Sequence, residues 1–231
     1  MEILSNNYLL LFLTFGVFYG AKKLQLKTKF ILANPILITI AVMIAYLMLL
    51  DIDYDTYQKA GKMIDFWLQP AVVALGVPLY RQLNAIKKQL IPLIASSFVG
   101  CNLGIVSVVL TVKLFGGSNE IALSLAAKSV TTPIAMEITK TFDGIPALTA
   151  VVVVFTGIFG AIFGFQTMKL FRVNNPISQG FSMGMAAHAV GTSRALEIGA
   201  HYGAYSSLGL TINGIFTAIC TPIVLRWMGV I

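Results

Sequence analysis

Long apolar runs separated by short basic loops constrain the fold of this sequence more than any other feature. A helix that crosses a bilayer needs about 20 mostly apolar residues. Such runs lie at residues 7–20, 30–50, 90–115, 145–171 and 204–228. Only 11% of the residues are charged, whereas a soluble domain has about 25%. Because the runs do not alternate with a period of two, a membrane β-barrel is disfavoured. We therefore predict an all-α polytopic membrane protein.

Three other segments are apolar but interrupted. Residues 66–80 contain Pro70, and residues 120–140 contain Pro133. A proline removes a backbone donor, so both are predicted helix breaks. Residues 178–199 contain charged groups within apolar sequence. With residues 66–80 counted as a span, we expect about six spanning helices plus two broken or re-entrant segments, in a single transmembrane domain over residues 1–231.

The two interrupted polar segments resemble each other. Residues 126–138 (AAKSVTTPIAMEI) and 186–198 (AAHAVGTSRALEI) align without gaps and match at seven positions. The same offset relates two glycine pairs in the preceding helices, Gly100/Gly160 and Gly104/Gly164. This predicts repeat units at approximately residues 90–140 and 150–200. Duplicated, interrupted segments of this kind mark the binding sites of secondary transporters.

Loop charges predict how the repeats are oriented. Basic loops at residues 22–29, 81–88 and 169–172 should be cytoplasmic, and an acidic loop at residues 51–65 should lie outside. Residues 120–140 then enter and leave from outside as a hairpin that turns at Thr131-Thr132-Pro133. Residues 178–199 enter from the cytoplasm and break at Gly191-Thr192. This arrangement is an inverted repeat; if both segments span fully, the repeats are parallel instead.

The broken segments predict a site for a small anion. Half-helix N-termini present unpaired N–H groups and the positive end of a dipole. Positive side chains and hydroxyl donors lie beside them, and together they favour a small carboxylate. The predicted substrate-binding residues are Lys128, Ser129, Thr131, Thr132, His188, Gly191, Thr192, Ser193 and Arg194.

Several of these residues have a structural alternative. The rigid fork of Arg194 suits a carboxylate, but Arg194 could equally pair with Glu197, three residues further on. Glu137 and Glu197 occupy matching repeat positions and could carry a coupling proton, or they could end the hairpins near the interface. His188 could titrate or serve as a hydrogen-bonded packing residue. Asn213, within a spanning helix, is interpreted as an interhelical hydrogen-bonding group.

Other classes of function have little support in the sequence. The net charge is +7, but the basic residues lie in short loops. This distribution indicates that they set the membrane topology and do not form a surface that binds nucleic acid. Cys101 and Cys220 lack the spacing of a metal site or a disulfide framework. No metalloprotease, serine-hydrolase or nucleotide-binding motif is present. We expect no enzyme activity, no cofactor and no metal.

The motifs together resemble the LrgB/CidB family. The resemblance is carried by residues 128–137 (KSVTTPIAME), 188–195 (HAVGTSRA) and 68–75 (LQPAVVAL), and it extends over nearly the whole chain. It implies a multi-pass protein of the bacterial inner (cytoplasmic) membrane, encoded beside a small LrgA/CidA-type membrane partner. Bacterial members are called antiholin-like regulators of murein hydrolase export. A plastid relative is similar to a glycolate/glycerate translocator, and some bacterial pairs are linked to pyruvate uptake.

Two functions follow as expectations. The first is a secondary carrier for small monocarboxylates, proton-coupled and acting with an LrgA/CidA-type partner. The second is a holin-like protein that regulates murein hydrolase export and autolysis. The paired charges at matching repeat positions favour the carrier, since a pore needs no selective midplane site. A homodimer is a further expectation, because transporter repeats often move against a dimeric scaffold.

Overall fold

The structure is a computed structural model that describes residues 6–28, 34–74, 76–81, 84 and 87–231. The regular secondary structure in these ranges is helical, which confirms the predicted all-α class. Four described helices are long and apolar enough to cross a membrane, at Asn7–Thr28, Leu90–Leu114, Pro146–Leu170 and Ala200–Trp227. The chain divides into two compact units, Met1–Ala74 and Leu75–Ile231.

The first unit contains α1 (Asn7–Thr28), α2 (Pro35–Leu49) and α3 (Tyr54–Ala74). Asn34 caps α2, since its side chain accepts hydrogen bonds from the first backbone N–H groups of that helix. The Thr14 and Tyr57 hydroxyls, 3.1 Å apart, join α1 to α3.

Two predictions for α3 were wrong. The acidic stretch expected to be a loop is helical from Tyr54 onward, because Asp55 lies in the first turn, where a carboxylate is favourable. Pro70 lies inside α3, which continues to Ala74 rather than breaking at the proline. Helices of membrane proteins tolerate such a missing donor.

The second unit contains the interrupted segments between long helices. Its helices are α4 (Gly76–Arg81), α5 (Leu90–Leu114), α6 (Asn119–Ala126), α7 (Thr132–Thr141), α8 (Pro146–Leu170), α9 (Pro176–Ile198) and α10 (Ala200–Trp227). The spans predicted at residues 90–115, 145–171 and 204–228 correspond to α5, α8 and α10. Proline in the first turn starts α7, α8 and α9, where its missing N–H costs nothing.

Residues 119–141 form a first hairpin, in which α6 and α7 are separated by a break at residues 127–131. After α7 the chain returns to α6, since the backbone N–H of Ile145 donates to Ser124 Oγ at 2.8 Å. Thr149 Oγ1 donates to the Ser124 carbonyl at 2.8 Å and lies 2.8 Å from Thr139 Oγ1. The turn predicted at Thr131-Thr132-Pro133 was therefore placed slightly too late, because Thr132 and Pro133 already belong to α7.

Residues 176–198, the whole of α9, form a second hairpin. Its helical geometry is broken at Ala187 and at His188, which has φ 42° and ψ −135°. The chain then folds back, since a Cβ on Gly191 would lie 2.5 Å from the Met183 carbonyl oxygen. Residues eight apart in a straight helix are separated by about 12 Å. The break predicted at Gly191-Thr192 was therefore one turn too late, because Gly191 serves this close contact instead.

Both arms of the second hairpin pack on α10. In the first arm, Gly180 contacts the backbone of Tyr202, and Gly184, one turn later, contacts the backbone of Ser206. The contacts advance along both helices together, so this arm runs parallel to α10. Thr192 of the second arm reaches the same level, with its Oγ1 2.9 Å from Ser206 Oγ. The two arms are therefore antiparallel, as a hairpin requires.

The long helices α5 and α8 run in opposite directions. A Cβ on Gly160 of α8 would meet Ala187, and one on Gly164 would meet Met183, so α8 is antiparallel to the first arm and hence to α10. In contrast, α5 is parallel to α10: Cys101 Sγ lies 3.4 Å from Thr217 Oγ1, and Lys113 Nζ donates to the Met228 carbonyl further along both helices.

Candidate functional site

The turns of the two hairpins are joined by one side chain of α10. The Asn213 amide nitrogen donates to the carbonyl of Ser129, in the first break, at 3.1 Å. It also donates to the carbonyl of Met185, two residues before the second break, at 2.9 Å. Asn213 lies near the middle of this 28-residue helix. The two hairpin turns therefore meet beside the centre of α10.

A cavity of about 620 Å³ lies next to this junction. It is bounded by α5, the first break, the first arm of the second hairpin and α10. It runs from Gln89 and Ser178, at the N-terminal ends of α5 and α9, to an inner end lined by Lys128, Asn213 and, one turn further along α10, Thr217. Its walls are largely apolar, with polar groups contributed by Gln89, Ser96, Lys128, Ser129, Ser178, Ser182, Asn213 and Thr217.

Among the described residues that line this cavity, Lys128 is the charged one. It is half-buried, and its Nζ lies 3.4 Å from Ser129 Oγ. Within the described ranges no carboxylate approaches it within ion-pair distance. An ammonium group withdrawn from water is costly unless an opposite charge compensates it. The inner end of the cavity is therefore suited to an anion.

The predicted residues of the second break take structural positions instead. His188 is buried, and its Nε2 lies 2.9 Å from the Val153 carbonyl, so Nε2 carries the proton and donates. Thr192 is buried against Ser206. His188, Gly191 and Thr192 do not line the cavity, and they hold the second hairpin together. For His188 this is the packing alternative that the sequence left open.

Arg194 lies away from the cavity and pairs with Glu197. Arg194 Nη1 donates to Glu197 Oε2 at 2.8 Å, and the two side chains are 48% and 54% exposed. The ion-pair alternative for these residues is therefore confirmed. Ser193 beside them is exposed, as is Glu137 in α7.

The structure brings Lys128 and Ser129 to the cavity and leaves the rest of the predicted set outside it. Thr131 precedes α7 as its N-cap residue, and Thr132 begins that helix. Both are half-buried, and Pro133 after them is exposed. Among the described residues, no three His, Cys, Asp or Glu side chains cluster as metal ligands do.

Sequence reasoning missed several small residues that line the cavity. Ser178 and Ser182 lie four positions apart in the first arm of the second hairpin, and Ser96, Gly100 and Gly104 show the same spacing in α5. Residues four apart share one face of a helix. A search for small and polar residues at this spacing would have found both faces. Asn213 was recognised as a hydrogen-bonding group but not as a member of the site.

The fold and the cavity define a polytopic α-helical membrane protein with interrupted helices around a recess that has largely apolar walls and a lysine in its lining. The family model described as the LrgB-like family matches residues 14–227. The chain belongs to this family.

Relatives of similar length support the assignment. YwbG of Bacillus subtilis (strain 168) is 36% identical over 94% of this chain and 97% of its own length. YxaC of the same organism is 34% identical over 95% of each. The holin-like protein CidB of Staphylococcus aureus (strain N315) is 32% identical over 95% of this chain and 98% of its own. No solved structure matches the chain.

Proposed function

We propose that this protein is a secondary carrier for small monocarboxylates of the pyruvate, glycolate and glycerate type. The observation that carries the proposal is Lys128, an ammonium group at the inner end of a cavity with no carboxylate within ion-pair distance in the described part of the chain. A carboxylate entering the cavity would supply the missing charge. Ser129 beside Lys128 offers a hydroxyl for a second hydrogen bond.

The polar groups along the cavity suit a small, hydrated ligand. Ser178, Ser182 and Ser96 line it together with Gln89 near its outer end, so an anion would pass polar groups along its way. A volume of about 620 Å³ admits a three-carbon acid together with water. The apolar walls would strengthen the attraction between Lys128 and the anion, because they lower the local dielectric constant.

The proposed architecture is an inverted repeat. One repeat comprises α5 with the first hairpin, and the other comprises α8 with the second hairpin. The opposite directions of α5 and α8, and the meeting of both hairpin turns near the middle of α10, support this arrangement. A 28-residue helix is about 42 Å long, so its middle would lie near the bilayer midplane. With α1, α2 and residues 66–80, we propose about six spans in total.

The proposed orientation has the cavity open to the cytoplasm. Lys87 and Lys88 precede α5, Lys169 lies in the last turn of α8, and Arg172 lies between α8 and α9. All four are at the end of the unit where Gln89 and Ser178 line the cavity. Basic residues accumulate on the cytoplasmic side of a membrane. Since the relatives named above are bacterial proteins, we propose the bacterial inner membrane as the location.

Proton coupling and a partner subunit complete the proposal. Glu137 and Glu197 remain the proposed proton carriers, since both are exposed and lie at matching positions in the second arms of the two hairpins. Neither lines the cavity, so coupling would require these arms to move with the ligand. An LrgA/CidA-type small membrane protein is the proposed partner, and a homodimer is the proposed assembly.

The alternative is a holin-like protein that affects murein hydrolase export and autolysis. The CidB relative, at 32% identity, is named a holin-like protein. A holin-like pore requires assembly and permeability but has no use for an ammonium group at the end of a cavity. The two functions therefore differ in how they depend on Lys128.

Uptake of radiolabelled pyruvate, glycolate, lactate and glycerate into proteoliposomes tests the proposal, with and without an LrgA/CidA-type partner. We expect saturable uptake that increases with an imposed proton gradient. Lys128→Met should abolish it, because the ligand loses its counter-charge. Lys140→Met is the matched control, since Lys140 is an exposed lysine of the same hairpin and its loss should leave uptake unchanged.

Leakage of an entrapped neutral dye distinguishes the alternative. A carrier should retain the dye in wild type and in Lys128→Met alike. Dye release in wild type that persists in Lys128→Met, without saturable uptake of any of the four acids, would establish the holin-like function and refute the carrier.

A further inference from the structure

We propose that Asn213 is a positioning residue for the ligand, because its single amide group fixes the two hairpin turns on either side of the inner end of the cavity. The inference rests on the proposed function in taking the ligand to be a small carboxylate held by Lys128. Asn213 itself acts through the backbone that carries Lys128 and Ser129.

The orientation of the Asn213 side chain is set by its partners. The side chain is 2% exposed, and both groups that it reaches, the carbonyls of Ser129 and Met185, are acceptors. Only the NH₂ end of an amide can serve two acceptors. Each of its two protons is therefore committed to one hairpin, and replacing Asn213 would release both.

The Ser129 carbonyl depends on Asn213 because of the sequence that follows it. In a continuous helix this carbonyl would accept from the backbone N–H of residue 133, but Pro133 has none. Asn213 supplies the missing donor from another helix. Since Ser129 directly follows Lys128, fixing the Ser129 carbonyl also fixes the backbone from which the ammonium group extends into the cavity.

The Met185 carbonyl provides the second anchor. Met185 and Ala186 line the cavity opposite the first break, and the chain reverses at His188 just beyond them. Because one amide holds both sides, the distance across the inner end of the cavity is set by Asn213. Without it, the first turn can shift, and Lys128 no longer meets the carboxylate in a fixed place. Replacing Asn213 should therefore lower the affinity for the carboxylate more than it lowers the turnover rate.

The native cysteines allow a test that needs no transport. Cys101 and Cys220 are the two cysteines of the sequence, and only Cys101 lines the cavity. Cys220→Ala leaves Cys101 as a reporter. Its labelling rate is measured in purified, detergent-solubilised protein with an anionic sulfonate methanethiosulfonate and with the cationic trimethylammonium reagent. The anionic-to-cationic rate ratio reports the local potential that Lys128 sets.

In this background Asn213→Leu should lower the ratio about fivefold, towards the value of Lys128→Met, because the ammonium group moves away from the cavity. Asn213→Ser keeps one hydrogen-bond donor and should give an intermediate ratio. It also provides the test if Asn213→Leu does not fold. The matched control is Thr217→Val, one turn further along α10. The Thr217 hydroxyl bonds with Cys101, whereas the bonds from α10 to the carbonyls of Ser129 and Met185 come from Asn213. In Thr217→Val both rates should therefore change together and the ratio should stay constant.

An unchanged ratio in folded Asn213→Leu and Asn213→Ser would overturn the inference, because a purely structural role lowers the amount of folded protein and leaves the potential in the cavity alone. Uptake kinetics provide the second measurement: Asn213→Ser should raise KM about fivefold with kcat per folded protein nearly unchanged. If wild type carries no monocarboxylate while the ratio still falls, the proposed function fails and the positioning of Lys128 by Asn213 stands.

Discussion

Lys128 and His188 occupy matching positions in the two hairpins, yet only Lys128 reaches the cavity. The His188 ring faces α8 instead, and its Nε2 lies 2.9 Å from the Val153 carbonyl of that helix. Gly157 makes room for the ring, since a Cβ there would lie 2.6 Å from His188 Cε1. The two turns therefore differ in their contacts: the first presents a charged side chain to the cavity, and the second secures its hairpin to a long helix.

His188→Ala should destabilise the protein by about 2 kcal/mol, because it removes the bond to Val153 and leaves a space beside Gly157. His201→Ala is the matched control. His201 is half-buried in the first turn of α10 and contacts the Tyr205 ring, so its loss should cost less than half as much. Thermal unfolding of the detergent-solubilised variants measures both. Equal losses would mean that the second hairpin does not depend on His188.

Gly184→Ala should destabilise the protein by about 3 kcal/mol, because a Cβ at this position would overlap the backbone carbonyl of Ser206 in α10. Backbone atoms cannot move aside as the end of a flexible side chain can. Gly104→Ala adds the same methyl group to a helix position with nothing within 4 Å, and helix propensity alone should make it neutral or slightly stabilising.

Denaturation midpoints of the two glycine variants, measured in the same detergent, give the comparison. The result that would contradict the packing of the first arm on α10 is a Gly184→Ala midpoint at or above that of wild type. Gly104 lines the cavity, so its alanine variant should also show whether added bulk there affects uptake in a protein of unaltered stability.

The sequence located the interrupted segments because their signals are local. Pro133 removes a backbone donor and lies in the first turn of α7. The basic stretch at residues 22–28, predicted as part of a loop, is instead helical and belongs to α1. The exact turn of the second hairpin was not predictable from glycine alone. Gly191 is needed for a close approach to Met183. The reversal falls instead on His188, at a positive φ that is uncommon for any residue other than glycine.

Which residues line the cavity could not be predicted in the same way. The answer depends on which face of each hairpin arm packs against another helix. In the sequence Arg194 is the strongest single candidate for holding a carboxylate, because its rigid fork matches one in two places. The structure separates Arg194 from Lys128. Arg194 pairs with Glu197 on its own helix, whereas Lys128 faces a cavity built by α5, α9 and α10. The role of Asn213 depends on contacts across 84 and 28 residues of sequence, which no local pattern encodes.

Thr149→Val should destabilise the first hairpin by about 2 kcal/mol. The substitution keeps the shape of the side chain but removes the hydroxyl that donates to the Ser124 carbonyl and meets Thr139, all within a buried cluster. Thr141→Val is the control, since the Thr141 hydroxyl bonds only within α7 and is exposed. Hydrogen exchange of residues 119–149 should increase in Thr149→Val and stay at the wild-type rate in Thr141→Val.

Arg194→Ala and Lys128→Met together test which cation serves the ligand. An exposed ion pair contributes about 0–1 kcal/mol to stability, so Arg194→Ala should unfold near the wild-type temperature and should bind a small carboxylate nearly as well as wild type. Lys128→Met should lose binding by about 100-fold, since a charge-assisted hydrogen bond in a cavity of low dielectric is removed.

Isothermal titration of the purified variants with the acid that gives the strongest uptake measures both effects. Glu197→Gln is the companion variant: it breaks the same pair from the other side and should resemble Arg194→Ala in binding. A loss of affinity in Arg194→Ala that equals the loss in Lys128→Met would show that the arginine leaves Glu197 to join the ligand. In that case Glu197→Gln, which frees the arginine, should strengthen binding rather than leave it unchanged.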